Sequence, residues 1–477
     1  MAESFWTLSR VADALAGVRP AVGAPARMGA PGDVFPRGDA PVVRVWTDTR
    51  TVSAGDLFVA LRGERFDGHD FLAKAVAAGA CALVVSDARL AAGLGVPVFE
   101  VVDTTRAYGA LARYRREVWG GPVVAVGGSN GKTSTKELIR AALGSRLSVH
   151  ATEGNLNNQI GVPHTLLALN HASDVAVIEV GTNTPGEIAI LRDIVRPDIG
   201  VVTAINEEHL EGFGDLAGVL REEASLLDGV AVAIVPADDD ALVAEAAKRA
   251  RRAVSAGIGR GALAAESGEL ADDATGRLTV GGVHVAVPLR GAHNMRNAML
   301  ALAVARACGV TIEDAARGIA AIEPGAMPGM RSAVEPLGDA LLVNDAYNSN
   351  PGSARAAMQL LSAVAGARPR VIVLGTMGEL GAQAEIAHRD IAREAMAADP
   401  SLVVGIGEFA AAFRSVAAGD ARVVTGNDID DIWPALCARL APNAAILLKA
   451  SRSVKLERLL PRLREWASEN ISPYRAD

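Results

Sequence analysis

The chain is 477 residues long, half of them hydrophobic and 21% charged, with a formal net charge of −8. At roughly 150 residues per domain this allows about three domains with sizeable cores and excludes wholesale disorder. The acidic balance argues against nucleic-acid binding, which needs a basic footprint, and three scattered cysteines (Cys81, Cys308, Cys437) offer neither a CxxC metal pattern nor a disulfide framework.

Glu3 sits early in an N-terminus without an unbroken apolar run, so a secretory signal is not expected. No apolar stretch approaches the roughly 20 residues needed to span a bilayer, so no membrane insertion is expected and cytoplasm is the default location. Residues 20–40, rich in Pro, Gly and Ala, are expected to form a loop. A strand is predicted over Val42–Trp46 and another over Leu57–Leu61. A polar loop (Gly63 to His69), a helix over Phe71–Ala78 stopped by Gly79, and a buried strand over Cys81–Val85 follow. The helical pattern of Ala107–Trp119 is broken by Gly120-Gly121-Pro122, which sets the first expected boundary.

Beyond it, short apolar runs alternate with helical stretches. Strands are predicted at Pro122–Val126, Val175–Val180, Gly200–Thr203 and Val230–Val235, and helices at Gly186–Asp193, Leu216–Leu227 and His293–Cys308. Alternating βα units imply a mostly parallel sheet covered on both faces. Pro324 to Pro328 sets the second boundary. The last third alternates again: strands at Ala340–Val343, Arg370–Leu374, Leu402–Ile406 and Ala444–Leu448, with helices at Ser353–Ala365, Glu385–Ala397 and Ile432–Leu440, in the manner of a doubly wound domain. The fold class is therefore α/β in three domains: residues 1–119, a central P-loop domain at 120–326, and a Rossmann-like domain at 327–477.

The strongest chemical signal is Gly127-Gly128-Ser129-Asn130-Gly131-Lys132-Thr133-Ser134, placed between an apolar strand and a helix. Glycines let main-chain N–H groups converge on phosphate oxygens, and the helix N-terminus adds about half a positive charge. Lys132 can reach the β- and γ-phosphates, and the Thr133 hydroxyl can ligate Mg²⁺. The loop is a short form, Gly128-x-x-Gly131-Lys132-Thr133, because Val126 stands where the longer pattern has its first glycine.

GGSNGKTSTKE resembles the Mur ligase family, and further blocks follow in that family's order along almost the whole chain. They are DTRTVSAGDLFVALRGERFDGHDF at 48–71, GNLNNQIGVPHTLL at 154–167, IEVGTN at 178–183, NEEHLEGFGDLAGV at 206–219, HNMRNAMLALA at 293–303, NDAYNSNP at 344–351 and KASRS at 449–453. The Asp345 to Pro351 block resembles the branch that adds D-alanyl-D-alanine. The Asp-Asn-Pro-Arg signature of the diaminopimelate-adding relative is absent.

The resemblance implies an ATP-cleaving amide ligase joining a UDP-N-acetylmuramoyl-tripeptide to D-Ala-D-Ala through an acyl phosphate, with ATP and two Mg²⁺ ions, expected to act as a monomer. It implies catalytic roles for Lys132, Glu179 and His209, with Thr133, Glu179, His209 and Glu223 at the metals. The nucleotide would be held by Gly128, Ser129, Asn130, Gly131, Lys132, Thr133 and Ser134, by the amides of Asn294 and Asn297 at the adenine edge, and by Arg331, Asp345 and Tyr347. Asp48, Thr49, Arg50, Asn155, Asn157 and Asn158 would meet the UDP-sugar or phosphates, and Asn348, Asn350, Lys449 and Arg452 the remaining substrate groups.

Glu223 stands where many relatives carry a carbamylated lysine, and it would supply a carboxylate without CO₂, directly or through water. Against that stands a pair of helix-surface charges, Glu222 and Glu223. Thr184, Thr376 and Ala450 also depart from the family pattern. Another amide ligase on the same scaffold, or a nucleotide-binding homologue that no longer ligates, are the alternatives.

Overall fold

The computed structural model describes residues 5–16, 40–323 and 331–470. Two compact units emerge: Met1–Val123 with His150–Val180 and Ile190–Pro197, and Val124–Val149 with Gly181–Ala189 and Asp198–Asp477. The Pro324 to Pro328 break, most of the 20–40 loop and the second expected boundary lie outside the described residues.

In the first unit, strands Val45–Trp46, Leu57–Val59, Ala82–Val85 and Val98–Glu100 form a four-stranded parallel sheet in that order. Leu57, Val59, Leu83, Val84 and Val85 are fully buried. Removing such a side chain from water is worth about 1.5–3 kcal/mol. The expected Val42–Trp46 strand is split: Pro41–Val42 pairs antiparallel with Trp6–Thr7, and only Val45–Trp46 joins the parallel sheet. The helix Thr104–Trp119 begins earlier than its apolar pattern because Asp103 caps it, accepting from the Thr105 and Arg106 amides. Gly120, at φ 72°, ends it in the left-handed conformation.

In the second unit, strands run in the order Leu263–Ala265, Ala253–Ile258, Val232–Pro236, Ile199–Val202 and Val123–Gly127, all parallel. The helix Ala292–Ala307 is almost wholly buried, and its alanines permit close packing. The fit between neighbouring helices is tight: a Cβ on Gly318 would come within 2.1 Å of the Ala141 carbonyl oxygen. An antiparallel sheet of Ser267–Leu270, Thr275–Val280 and Val283–Arg290 follows. Its last two strands turn at Gly281-Gly282, both at positive φ, as a tight hairpin requires.

A six-stranded sheet closes the unit in the order Ala333–Leu337, Ala340–Asp345, Ala445–Lys449, Arg370–Gly375, Leu402–Ile406 and Val423–Gly426. All neighbours are parallel except the first pair. One core gathers Pro351–Ala365, Ala384–Ala397 and Glu408–Val416 side chains on one face, and a second gathers Ile429–Cys437 and Leu459–Glu469 on the other. The α/β, doubly wound expectation holds. The helix expected at Ile432–Leu440 instead spans Ile429–Cys437, because Asp428 accepts from the Asp430 and Asp431 amides and starts it a turn early.

Candidate active site

The phosphate loop is built by its neighbours as much as by its glycines. Val123–Gly127 leads into Gly128 at φ 117° and Gly131 at φ 85°, and the helix Lys132–Gly144 starts at the lysine itself. Thr203, just past the adjacent strand, donates its hydroxyl toward the Gly127 carbonyl at 3.1 Å and the Asn130 carbonyl at 2.6 Å. The Ser129 amide donates to Ala204 O at 2.8 Å, and the Ser129 hydroxyl exchanges hydrogen bonds with the Asn206 main chain. Lys132 folds over the loop, its ammonium donating to Gly128 O at 2.5 Å. The Thr133 hydroxyl is fully buried without a hydrogen-bond partner. Ser134 lies in the first turn of the same helix.

Glu223 is not a surface charge. It is fully buried on the helix Leu216–Ala224, one carboxylate oxygen accepts from Gly128 N at 2.7 Å, and the other has no partner. Burial pushes its pKa up, against the pull of Lys132 and the Gly128 amide. Glu222 differs: it accepts from Gly186 N and Ile188 N, both at 2.9 Å, and so anchors the start of Glu187–Val195.

His209 occupies a left-handed backbone conformation (φ 48°) at the start of Leu210–Phe213. Its Nδ1 faces the Glu379 carboxylate. Burial lowers its pKa, opposed by Glu379. Glu208 beside it went unremarked in the sequence. Burial lifts its carboxyl to about 8, with Lys132 opposing and Glu223 adding to the rise.

Asn297 and Asn294 are both buried. Asn294 donates to Arg290 O and accepts from Asn297, at 2.8 and 3.0 Å, so its amide is engaged within the protein. Asn297 lies against the loop: a Cβ on Gly131 would meet its Oδ1 at 3.0 Å.

Asp345 is expected at the nucleotide and Lys449 at the remaining substrate groups. In the structure Lys449 Nζ donates to Asp345 Oδ2 at 2.5 Å, and Asp345 Oδ1 accepts from Ser332 N at 2.9 Å. Both residues are buried. A buried ammonium without a counter-charge is costly, and their strands are direct neighbours. Tyr347 has the Arg331 guanidinium stacked 4.2 Å over its ring and Arg452 at 6.0 Å. Asn350, expected at the substrate, exchanges a reciprocal amide pair with Asn130 of the phosphate loop at 3.0 and 3.1 Å. It also caps Pro351–Ala365 by accepting from Ser353 N. Asn348 is turned to its own backbone, accepting from Ser349 N.

In the first unit, Glu179 ends the buried strand Val175–Glu179, one residue before the predicted end at Val180. One of its oxygens accepts from Asn157 Nδ2 at 2.9 Å and the other is buried and unpartnered. Asn158 Oδ1 accepts from Ile160 N and Gly161 N, which makes that oxygen a helix-start cap. Asp48 and Arg50 form a bidentate pair next to Thr49. Hydrogen bonds from Arg50 hold the Asp48 carboxyl at about 2. Of the 63–69 loop, His69 is buried between Asp67 and Ser86, a structural position. A cavity of about 470 Å³ lies in this unit, lined by Trp6, Arg44, Trp46, Arg115, His150, Glu153 and His164 among others. Arg44 stacks 3.8 Å over the Trp46 ring.

Three family models match the chain: the Mur ligase family catalytic domain over residues 42–116, the Mur ligase middle domain over 126–305, and the Mur ligase glutamate ligase domain over 330–452. The UDP-N-acetylmuramoyl-tripeptide--D-alanyl-D-alanine ligase of Escherichia coli (strain K12) is 38% identical over 442 residues, covering 90% of this chain and 95% of its own. A crystal structure of MurF from Acinetobacter baumannii superposes with a TM-score of 0.85 at 30% identity, covering 96% of this chain and 99% of that one. MurF ligase from Thermotoga maritima in complex with ADP superposes with a TM-score of 0.77 at 25% identity, covering 89% and 98%. With that coverage, and with the strand–loop–helix cradle in place, the chain belongs to the Mur ligase family.

Proposed function

We propose that the protein is an ATP-dependent ligase that joins a UDP-N-acetylmuramoyl-tripeptide to D-alanyl-D-alanine, releasing ADP and phosphate. The observation that carries this is the phosphate cradle at Gly127 to Thr133, held by Thr203 and Asn206 and roofed by Lys132. It sits in a chain that aligns with 95% of the length of an E. coli ligase of that name.

A carboxylate is a poor acylating agent. Transfer of the γ-phosphoryl group to it forms an acyl phosphate; the dipeptide amine then attacks the acyl carbon, the C–O bond to phosphate breaks, and the amine loses a proton. For this the protein must position groups and neutralise charge. Loop amides and the helix N-terminus hold the phosphates, and the Lys132 ammonium leaves its carbonyl contact to meet the transferred group. Asn297, against the loop, is the stronger of the two asparagines for the adenine edge, since Asn294 is engaged through both its amide nitrogen and its oxygen and Asn297 through its nitrogen. The Arg331–Tyr347–Arg452 stack offers a flat cationic face to the nucleotide or the dipeptide carboxylate.

Mg²⁺ fits the donors present. Thr133 and Glu223 each carry a buried oxygen without a hydrogen-bond partner, and hard oxygens suit this ion. Among the described residues no three acidic, His or Cys side chains form a ready-made metal cluster, so nucleotide oxygens would complete the coordination. When bound, Mg²⁺ would neutralise phosphate charge. Glu223 provides its carboxylate without CO₂. The first-unit cavity, lined by Arg44, Trp46 and His164 among others, is proposed for the nucleotide-sugar, with Asp48, Thr49 and Arg50 proposed as further contacts. Among the described residues no helix is long and apolar enough to cross a membrane. A cytoplasmic location and a monomer are part of the proposal.

The test is ADP release by purified protein with UDP-tripeptides ending in diaminopimelate or lysine and a panel of dipeptides. Release that requires both a UDP-tripeptide and D-Ala-D-Ala supports the proposal. Release with glutamate or another amino acid in place of the dipeptide would favour a different amide ligase.

A further inference from the structure

Two non-glycine residues in left-handed backbone face each other beside the phosphate loop: His209 at φ 48° and Glu379 at φ 63°. Such conformations persist only where the surroundings hold them, and they gather at functional sites. Here both ends are held. The Glu211 amide donates to Glu379 O at 3.2 Å, and Gly381 comes so near that an added Cβ would lie 3.2 Å from Glu211 Cα. The 376–381 loop is pinned behind Glu379 as well: Met377 N donates to the buried His388 Nε2 at 2.8 Å, Gly378 N to Ser451 Oγ at 2.7 Å, and Ser451 N to Thr376 O at 3.1 Å. The outcome is a carboxylate set against Nδ1 of His209.

We infer that Glu379 is a positioning residue for the proposed reaction: its carboxylate fixes His209 with the proton on Nδ1 and the lone pair on Nε2, free to ligate a divalent cation. This rests on the proposed function only for the identity of the cation. An imidazole that ligates a metal through one nitrogen is commonly oriented by a carboxylate on the other. The groups that meet the ring are Glu379 and, in a T-shaped arrangement, Phe213. Of these, Glu379 is the one in contact with Nδ1. Its side chain is 57% exposed, so its replacement leaves the cores intact.

The experiment uses full-length wild type, Glu379→Ala and Glu379→Gln. Nitrogen NMR of the His209 ring reads the tautomer without metal, and Mn²⁺ titration by electron paramagnetic resonance, with a non-hydrolysable ATP analogue, reads cation affinity. Wild type is expected to hold the proton on Nδ1. Glu379→Ala is expected to mix the tautomers and weaken Mn²⁺ binding about ten- to a hundredfold. Glu379→Gln, whose amide oxygen still accepts from Nδ1, is expected to restore the tautomer and part of the affinity. A Glu379→Ala protein with the wild-type tautomer and affinity overturns the inference and leaves the ligase proposal standing. A wild type that makes no amide product yet shows Glu379-dependent tautomer and Mn²⁺ binding overturns the ligase proposal alone.

Discussion

Replacing Glu223 by Gln separates stability from function. In the unliganded protein this carboxylate is fully buried, with one oxygen on Gly128 N at 2.7 Å and the other unpartnered. A buried polar group left unsatisfied costs about 1–3 kcal/mol, and a charge costs more than a neutral amide. Glutamine has nearly the same shape and its carbonyl still accepts from Gly128. Glu223→Gln is therefore expected to stabilise the ligand-free protein by about 1–3 kcal/mol. The same change removes a hard anionic donor beside Lys132, so the Mg²⁺ concentration giving half-maximal rate should rise about tenfold or more, a loss of about 1.4 kcal/mol. Calorimetry without ligand and a magnesium titration of ADP release measure the two effects. A variant with unchanged or lower melting temperature and an unchanged magnesium requirement would refute the argument that Glu223 is held strained for a cation.

Gly128→Ala should abolish nucleotide binding: φ is 117°, and the new Cβ would lie 2.4 Å from Thr203 Oγ1 and 2.7 Å from Thr203 N, adding strain of about 1–3 kcal/mol; isothermal titration with an ATP analogue checks it. Asn350→Ala removes a helix cap and the reciprocal pair with Asn130, and is expected to cost on the order of 2–4 kcal/mol in denaturant unfolding. Asn350→Ser, which keeps a capping oxygen, should recover about half. Asp67 supplies a pH-dependent term. Burial raises its carboxyl, but hydrogen bonds from His69 and Arg62 outweigh that and hold it at about 2. A depressed carboxylate stabilises above its unfolded value of about 3.9 and loses that as pH falls through the folded value. Asp67→Asn should thus cost roughly 1 kcal/mol at pH 7, less as pH falls from about 4 toward 2, and nothing well below pH 2, read by unfolding across that window.

The parallel strands were legible because burial on both faces leaves nearly continuous apolar runs, as in Val123–Gly127 and Leu402–Ile406. The phosphate loop was legible because strand, glycines, Lys132 and helix are contiguous. What could not be read was pairing over long separations. Nothing local reveals that Asp345 meets Lys449, that Asn350 meets Asn130, or that Glu379 meets His209. Glu223 and Glu222 are adjacent and chemically identical, yet one is buried under the loop and the other anchors a neighbouring helix start. That difference comes from tertiary packing. The antiparallel sheet at 267–290 did leave a signal, the period-two alternation of Val283–Arg290 and the Gly281-Gly282 turn, which the Ala-rich helical surroundings obscured.

The claim on which the account turns is activation of the tripeptide's terminal carboxylate by phosphoryl transfer from a nucleotide in the Gly127–Thr133 cradle. Its direct measurement is a single-turnover reaction with ¹⁸O in that carboxylate, read by mass spectrometry of the released phosphate. The account predicts one ¹⁸O atom in the phosphate, carried there when the amine displaces it. Amide product accompanied by unlabelled phosphate would contradict it.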